Sequence, residues 1–230
     1  MQAVAQAPRR VDEGTERFSR QTDILKPDVC KKPVYIIGAG ATGSFLALAL
    51  AKMGMTDITI FDADKVEEHN FPNQLFPLSM KGKNKAEGAH ELVKYFTGTE
   101  IKFHPVMYKD QDLKGIVVSA LDSMKGRKLI YKNCKVNSLV ELLVDPRTGG
   151  ELFKLMTIDM SLEGEKDKYE ESFFTDEEAA EIPCTARSII YSVLAVSAFI
   201  SKQIKHFLMN EEFKRDIIID LKHNVTFFEG

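Results

Sequence analysis

Cysteine is scarce in this 230-residue chain: Cys30, Cys134 and Cys184 are the only three, and no two of them form a C-x-x-C pair. An odd count without paired spacing argues against a disulfide framework and against a tetrahedral structural zinc site, so a cysteine that matters acts as a thiol. Charge of one sign is lacking too. The formal net charge of −3 and the pI near 6.0 give no electrostatic basis for binding nucleic acid or an anionic membrane surface. Any anion must therefore be held by local groups. Long hydrophobic runs are absent: the longest apolar stretch, Ser188 to Ser201, has 14 residues between Arg187 and Lys202, too few for a bilayer and suited to a buried helix. The N-terminal MQAVAQAPRRVDEGTERF has no apolar centre of the signal-peptide kind, which points to the cytoplasm. Internal repeats and low-complexity tracts are also missing.

What is present suits one globular unit with a real core, since 44% of the residues are hydrophobic. Residues 1 to about 16 read as a mobile tail, and 17 to 230 as a single domain. Strand and helix signals then alternate, the pattern of a Rossmann-like, doubly wound α/β fold with a mainly parallel sheet. Strands are expected at Val34 to Ile37, Asp57 to Phe61, Lys102 to Val106 and Gly115 to Ala120. Helices are expected after GAGATGS up to Gly54, over Lys83 to Tyr95 and over Met124 to Cys134. In the C-terminal half, Leu139 to Val144 and Leu152 to Ile158 flank Pro146-Arg147-Thr148-Gly149-Gly150, which predicts an antiparallel hairpin. Ser161 to Glu181 carries nine acidic and two basic residues and reads as a solvated loop, in which Thr175 and Glu178 are spaced to cap a short helix. A long buried helix over Ala186 to Leu208 and strands at Ile217 to Leu221 and Val225 to Phe228 close the chain.

Gly38, Gly40 and Gly43 form G-x-G-x-x-G between the first strand and the first helix. The first glycine makes a tight turn, the second lets phosphate approach the backbone, and the third lets helix and strand pack closely. The helix N-terminus supplies N–H groups and a positive dipole for an anion. Asp62, 19 residues after Gly43, stands at the end of the second strand, where a carboxylate accepts from ribose hydroxyls. These features suit a dinucleotide or ATP equally. The stretch DADKVEEHNFPNQLF favours ATP, because a triphosphate needs donors and magnesium needs carboxylates. Asn70, Gln74 and Lys85 are the candidate donors, and Asp64 and Asp122 the spare carboxylates on the same rim.

Five stretches in order carry a resemblance to a known family. They are Arg17-Phe18-Ser19-Arg20-Gln21, GAGATGS, DADKVEEHN, Gly82-Lys83-Asn84-Lys85-Ala86 and Leu121-Asp122-Ser123. Together they resemble the ThiF/MoeB superfamily, which includes the activating enzymes of ubiquitin and ubiquitin-like proteins, over roughly residues 17 to 209. The resemblance implies adenylation of a C-terminal glycine carboxylate by Mg·ATP with release of pyrophosphate. It assigns the ribose to Asp62, the phosphates to Asn70 and Lys85, the metal to Asp122, and a contact in the partner subunit of a homodimer to Arg20. One position departs from the pattern: the family has arginine before the glutamine in N-x-x-R-Q, and here Asn73 precedes Gln74. Asparagine donates only a neutral hydrogen bond to phosphate, a weaker contact, for which Lys83 or Arg127 are the candidate substitutes.

Cys184 lies between the acidic stretch and the long apolar segment, in Ile182-Pro183-Cys184-Thr185-Ala186-Arg187. With Thr185 as a cap, the helix dipole and Arg187 would lower its pKa, the setting of a nucleophile; the alternative is a small buried hydrophobe, which is the reading for Cys30 and Cys134. The segment from Cys184 resembles the one in which the catalytic cysteine of the ubiquitin-fold-modifier activating enzyme opens a helix. That implies a crossover loop over 161–183 and a thioester on Cys184. The same cysteine would handle sulfur in a sulfur-carrier-protein adenylyltransferase, although the zinc C-x-x-C pairs usual in ThiF and MoeB proteins are missing.

The expectation is therefore a cytoplasmic, homodimeric activating enzyme for a ubiquitin-like protein ending in glycine, with a conjugating enzyme as a further partner. With the last expected strand so near residue 230, a separate ubiquitin-fold domain is not expected, and such recruitment is expected to fall to the body or the termini. Two other classes are an NAD(P)-dependent oxidoreductase, disfavoured by the surplus carboxylates and the lack of a recognisable proton donor, and a catalytically silent nucleotide-binding relative, which Asn73 favours.

Overall fold

The computed structural model describes residues 16–174 and 188–229. Among them the strands are β1 (Val34–Ile37), β2 (Ile58–Phe61), β3 (Lys102–His104), β4 (Gly115–Ser119), β5 (Val140–Gly149), β6 (Leu152–Asp159), β7 (Asp216–Asp220) and β8 (Val225–Glu229). The helices are α1 (Ala41–Lys52), α2 (Lys85–Thr97), α3 (Met124–Lys135), α4 (Glu163–Glu171) and α5 (Ile190–Leu208). One sheet holds the strands in the order β3-β2-β1-β4-β5-β6-β7-β8. It is parallel from β3 to β5 and antiparallel from β5 to β8. The direction of winding reverses between β1 and β4, the place where open α/β sheets bind ligands beyond the carboxyl ends of their strands.

Two apolar layers follow from strand alternation. Val34, Ile36, Ile60, Val118 and Val144 face α1, α2 and α5, where Leu46, Leu50, Ala89, Val93, Val196, Ile200 and Ile204 are buried. Ile37, Phe61, Val117 and Leu143 face the opposite layer, with Ile130 and Tyr131 of α3 and Tyr169 of α4. Both faces are covered, which is why β2 and β4 read as continuous apolar runs.

The opening Arg17–Gln21 stretch staples the far ends of the first two helices. Arg17 Nη1 donates to Thr97 O at 2.9 Å, at the end of α2, and Gln21 Nε2 to Met53 O at 2.6 Å, just past α1.

Three segments differ from the sequence expectation. The hairpin strands continue through Pro146–Gly149, leaving Gly150 and Glu151 as the connection. Proline is tolerated because β4 pairs with β5 only as far as Val144, so Pro146 has no β4 partner and loses no ladder bond on that side. The acidic stretch is not a loop throughout, because its first half forms α4. One aromatic anchor replaces an apolar stripe there: Tyr169 is 1% exposed, and its ring meets Tyr131 and Phe173, each at a centroid distance of 5.0 Å. The closing helix starts, within the described residues, at Ile190 and is not buried all round, since Tyr191 and Leu194 are 44% and 47% exposed. The Thr175–Glu178 cap, Cys184 and Arg187 lie outside the described residues.

A buried ionic centre ties β5 to α3 and α4. Asp145 on β5, 0% exposed, pairs with Arg127 of α3 and with Arg147 Nε at 2.8 Å, and it accepts from Tyr169 Oη at 3.0 Å. Removing one side of a buried pair leaves uncompensated charge. Asp145→Ala is expected to lower unfolding free energy by about 3–5 kcal/mol in urea denaturation. A loss below about 1 kcal/mol would show that water screens the two guanidinium groups.

Candidate nucleotide site

The glycine loop is shaped by two close approaches. A Cβ on Gly38, whose φ is +105°, would stand 2.4 Å from Ala120 O, and one on Gly43 would stand 1.9 Å from Gly38 O. Neither position admits a side chain. Gly40 differs: a Cβ there would meet no heavy atom within 4 Å, so the protein leaves that space open. Backbone crowding thus explains the first and third glycines, and room for a ligand is the reason left for the second.

Asp62 clasps this loop from the end of β2. Its Oδ2 accepts from Ala39 N at 2.7 Å and its Oδ1 from Asp64 N at 2.8 Å. Burial pushes the carboxyl up from its ordinary range; the two N–H bonds and Lys85 act against that shift. Each oxygen keeps acceptor capacity for a hydroxyl.

Asn84 joins the next element to this corner. Its side chain accepts from Glu87 N at 3.1 Å, capping α2, and its Nδ2 donates to Asp62 O at 2.9 Å and Asp64 O at 3.1 Å. Lys85, the first residue of α2, is thereby placed with its Nζ 3.1 Å from Asp64 Oδ2, and only 11% of its side chain is exposed against 73% for Asp64. A nearly buried ammonium group is thus held by one exposed carboxylate.

Asn70 is 4% exposed, and its Oδ1 accepts from Glu67 N at 2.8 Å, which leaves its Nδ2 uncommitted among the described residues. Its carbonyl accepts from Asn73 N and Gln74 N. The turn is fastened to α1 as well, because Leu75 N donates to Ser44 Oγ at 3.2 Å. Gln74 Oε1 and, on β4, Ser119 Oγ are buried without a hydrogen-bond partner in the described residues. Buried polar atoms without partners are rare in native proteins and mark places where a ligand or water belongs.

Asn73 is already engaged by another segment. Its Nδ2 donates to Ser188 Oγ at 2.8 Å and Ser188 O at 3.3 Å, tying the turn to the chain that leads into α5. Neither expected substitute for the arginine is free. Lys83 Nζ pairs with Glu91 at 2.6 Å, and Arg127, 6% exposed, is consumed by Asp145 and the carbonyls of Leu121 and Pro146. Burial pulls the Arg127 guanidinium down to about 10.

Asp122 follows β4 on the same rim. The cap of α3 is Ser123, whose Oγ accepts from Gly126 N at 3.2 Å, so Asp122 is spared that duty, stands exposed and makes no hydrogen bond among the described residues. No group of three or more His, Cys, Asp or Glu residues is placed to hold a metal among the described residues. One free carboxylate beside a phosphate cradle fits a magnesium ion carried by a triphosphate, not one caged by protein.

Arg20 does not join these groups. It sits in the Ser19–Gln21 turn, beside Ala51 and Lys52 at the end of α1 opposite Gly40; a helix of twelve residues is about 18 Å long. A role for it in chemistry needs a second subunit. Cys30 and Cys134 are buried as expected; burial raises both thiols, Cys134 to about 12.

Asn84, Ser44 and Ser188 were not read from the sequence as site residues. An asparagine before a helix is a legible cap signal for the first; the other two carry none, since their partners come from distant segments.

Glycine turn, strand-end carboxylate and lysine are thus gathered on the β1–β4 rim of an α/β protein. The profile of the ThiF family matches residues 28–215, and the chain belongs to that family. Among curated relatives, it is 33% identical over 104 residues to the NEDD8-activating enzyme E1 catalytic subunit of Arabidopsis thaliana, covering 42% of this chain and 23% of that one. It is 27% identical over 143 residues to the tRNA threonylcarbamoyladenosine dehydratase of Haemophilus influenzae, covering 56% and 55%. It is also 27% identical over 127 residues to ubiquitin-like modifier-activating enzyme 5 of Drosophila mojavensis, covering 47% and 32%. The matches thus span from about a quarter to half the length of these relatives. Among solved structures, PaaA superposes with a TM-score of 0.73 at 17% identity, covering all of this chain and 77% of that one. E. coli MccB solved with ATP gives 0.71 at 17% identity, covering 93% and 71%. These show the shared fold.

Two predictions follow from crowding and burial. Gly43→Ala is expected to cost about 3 kcal/mol of stability, whereas Gly40→Ala stays within about 1 kcal/mol yet weakens ATP binding about tenfold by calorimetry. Equal stability losses would mean that Gly40 is structural too. For the thiols, native Cys184→Ala protein is expected to give no reaction with a disulfide reagent in minutes, and two equivalents after unfolding. Rapid native labelling would contradict the burial of Cys30 and Cys134.

Proposed function

We propose that the protein activates a ubiquitin-like protein by Mg·ATP-dependent adenylation of its C-terminal glycine carboxylate. The observation that carries this reading is the placing of Gly40, Asp62, Asn70, Lys85 and Asp122 around the carboxyl ends of β1, β2 and β4. Family membership and the two E1-type relatives support it.

In this reading Asp62 accepts from the ribose hydroxyls, and the open space at Gly40 admits the phosphates against the first turn of α1. Lys85 moves from Asp64 to phosphate oxygen, Asn70 adds its Nδ2 donors, and Gln74 completes the pocket wall. Asp122 would hold magnesium, which would supply positive charge beside that of Lys85 as pyrophosphate departs. The glycine carboxylate oxygen attacks the α-phosphorus, forming an acyl phosphate bond as the bond to pyrophosphate breaks. Arg20 acts in the other subunit of a homodimer. Cys184 then attacks the acyl carbon, forming a thioester with AMP as leaving group, for transfer to a conjugating enzyme. The cytoplasm is the compartment this reading implies; no helix among the described residues is long and apolar enough to cross a membrane.

A second reading keeps the nucleotide chemistry but gives it an acceptor other than a ubiquitin-like protein. The tRNA dehydratase favours it, being the relative of the three that shares the largest part of both chains.

Pyrophosphate exchange with candidate modifiers ending in glycine separates the two. Modifier-dependent exchange is expected in wild type and Cys184→Ala and to fall at least about a hundredfold in Asp122→Ala, with a thiol-reducible adduct in wild type only. No exchange with a modifier independently shown to bind would overturn the first reading in favour of the second.

A further inference from the structure

Asp122 is exposed and makes no hydrogen bond or ion pair among the described residues, so the backbone on either side of it sets where it stands. On the following side, Ser123 caps α3 and its carbonyl accepts from Arg127 N at 3.2 Å. On the preceding side, the guanidinium of the same Arg127 donates to Leu121 O. The following flank is thus fixed by main-chain helix bonds and the preceding flank by the Arg127 side chain.

The guanidinium is itself immobilised. It pairs with Asp145, which is fully buried, donates to Pro146 O at 2.9 Å, and lies 3.5 Å from Ser119 O at the end of β4. Asp145 is held in turn by Arg147 and Tyr169. This cluster spans the C-terminal end of β4, the middle of β5 and the start of α3. A cluster serving stability alone needs no second donor aimed at the Leu121 carbonyl, and hydrophobic residues of equal volume would serve as well.

We propose that Arg127, anchored by Asp145, is a positioning residue that aims Asp122 at the metal accompanying the nucleotide; the proposal rests on the reading of Asp122 as the metal-holding carboxylate. The geometry demands arginine. A guanidinium offers five donors in a planar fork and reaches Asp145, Pro146 O and Leu121 O together, whereas the single nitrogen of lysine cannot span them. Removing Arg127 leaves Asp145 with Arg147 and Tyr169, so the fold can survive the change.

Calorimetry of ATP binding to the full chain, with magnesium and with EDTA, tests this without a modifier. In wild type, magnesium is expected to tighten binding, and Asp122→Ala to abolish that gain. Arg127→Met and the charge-preserving Arg127→Lys are expected to cut the gain about tenfold, the scale of outer-partner substitutions at metal sites, while metal-free affinity stays within about twofold. In the Asp122→Ala background, Arg127→Lys is expected to have no further effect. If Asp122→Ala keeps the magnesium gain, the metal reading of Asp122 fails and this proposal with it. If Asp122→Ala loses the gain but folded Arg127→Lys keeps it, or loses affinity equally with and without metal, only the positioning role is overturned. Circular dichroism checks folding, and Arg127→Lys decides the matter should Arg127→Met fail to fold.

Discussion

No Cβ fits between α1 and β1 at Gly43, and most of the ligand side depends on that contact. With the helix backbone lying directly on Gly38 O, the first turn of α1 is carried to the end of β1, and its free N–H groups open onto the rim. Asp62 locks the same corner from β2 through Ala39 N. Asn84 extends the lock to α2 and so delivers Lys85. Each later placement is conditional on the earlier one: strand spacing brings Asp62 near the loop, the loop fixes Asp62, and Asp62 with Asn84 fixes the lysine.

Electrostatics at this rim follow from how few charges are fully buried there. Asp62 is partly desolvated, which raises its carboxyl, and it accepts two backbone donors, which act against that rise and leave acceptor sites available. Lys85 is nearly buried and weakly tied to an exposed partner. The strongly desolvated charges lie behind the rim, at Arg127, Asp145 and Arg147, where two cations meet one anion. The exposed carboxylate on the rim thus rests on a rigid, net positive base. Asn73 belongs to neither group. It has become a structural link to Ser188, so the loss of the arginine seen in the sequence is matched by a different use of the position.

Legibility differed by element for physical reasons. β1 and the helix after it were plain in the sequence because periodicity and glycine spacing are local. The placement of Asp62 and Asp122 on one edge was legible because strand ends in a parallel sheet share one rim. α4 was missed because one buried tyrosine anchors it, and a single anchor leaves no period. The extension of β5 through Pro146 was missed because a proline argues against a strand unless the neighbouring strand is known to stop short.

By itself the sequence determined the parallel α/β core, the glycine turn and the identities of the polar groups on the rim, because these depend on residues close along the chain. Only the tertiary structure decided which polar groups are spent and which are free. Asn73 is spent on Ser188, 115 positions away, and Arg127 on Asp145, while Asp122 is released because Ser123 takes the cap. The first two assignments depend on pairings between separate segments, which no local pattern encodes, and the third on a local geometry that leaves either Asp122 or Ser123 a cap by sequence alone.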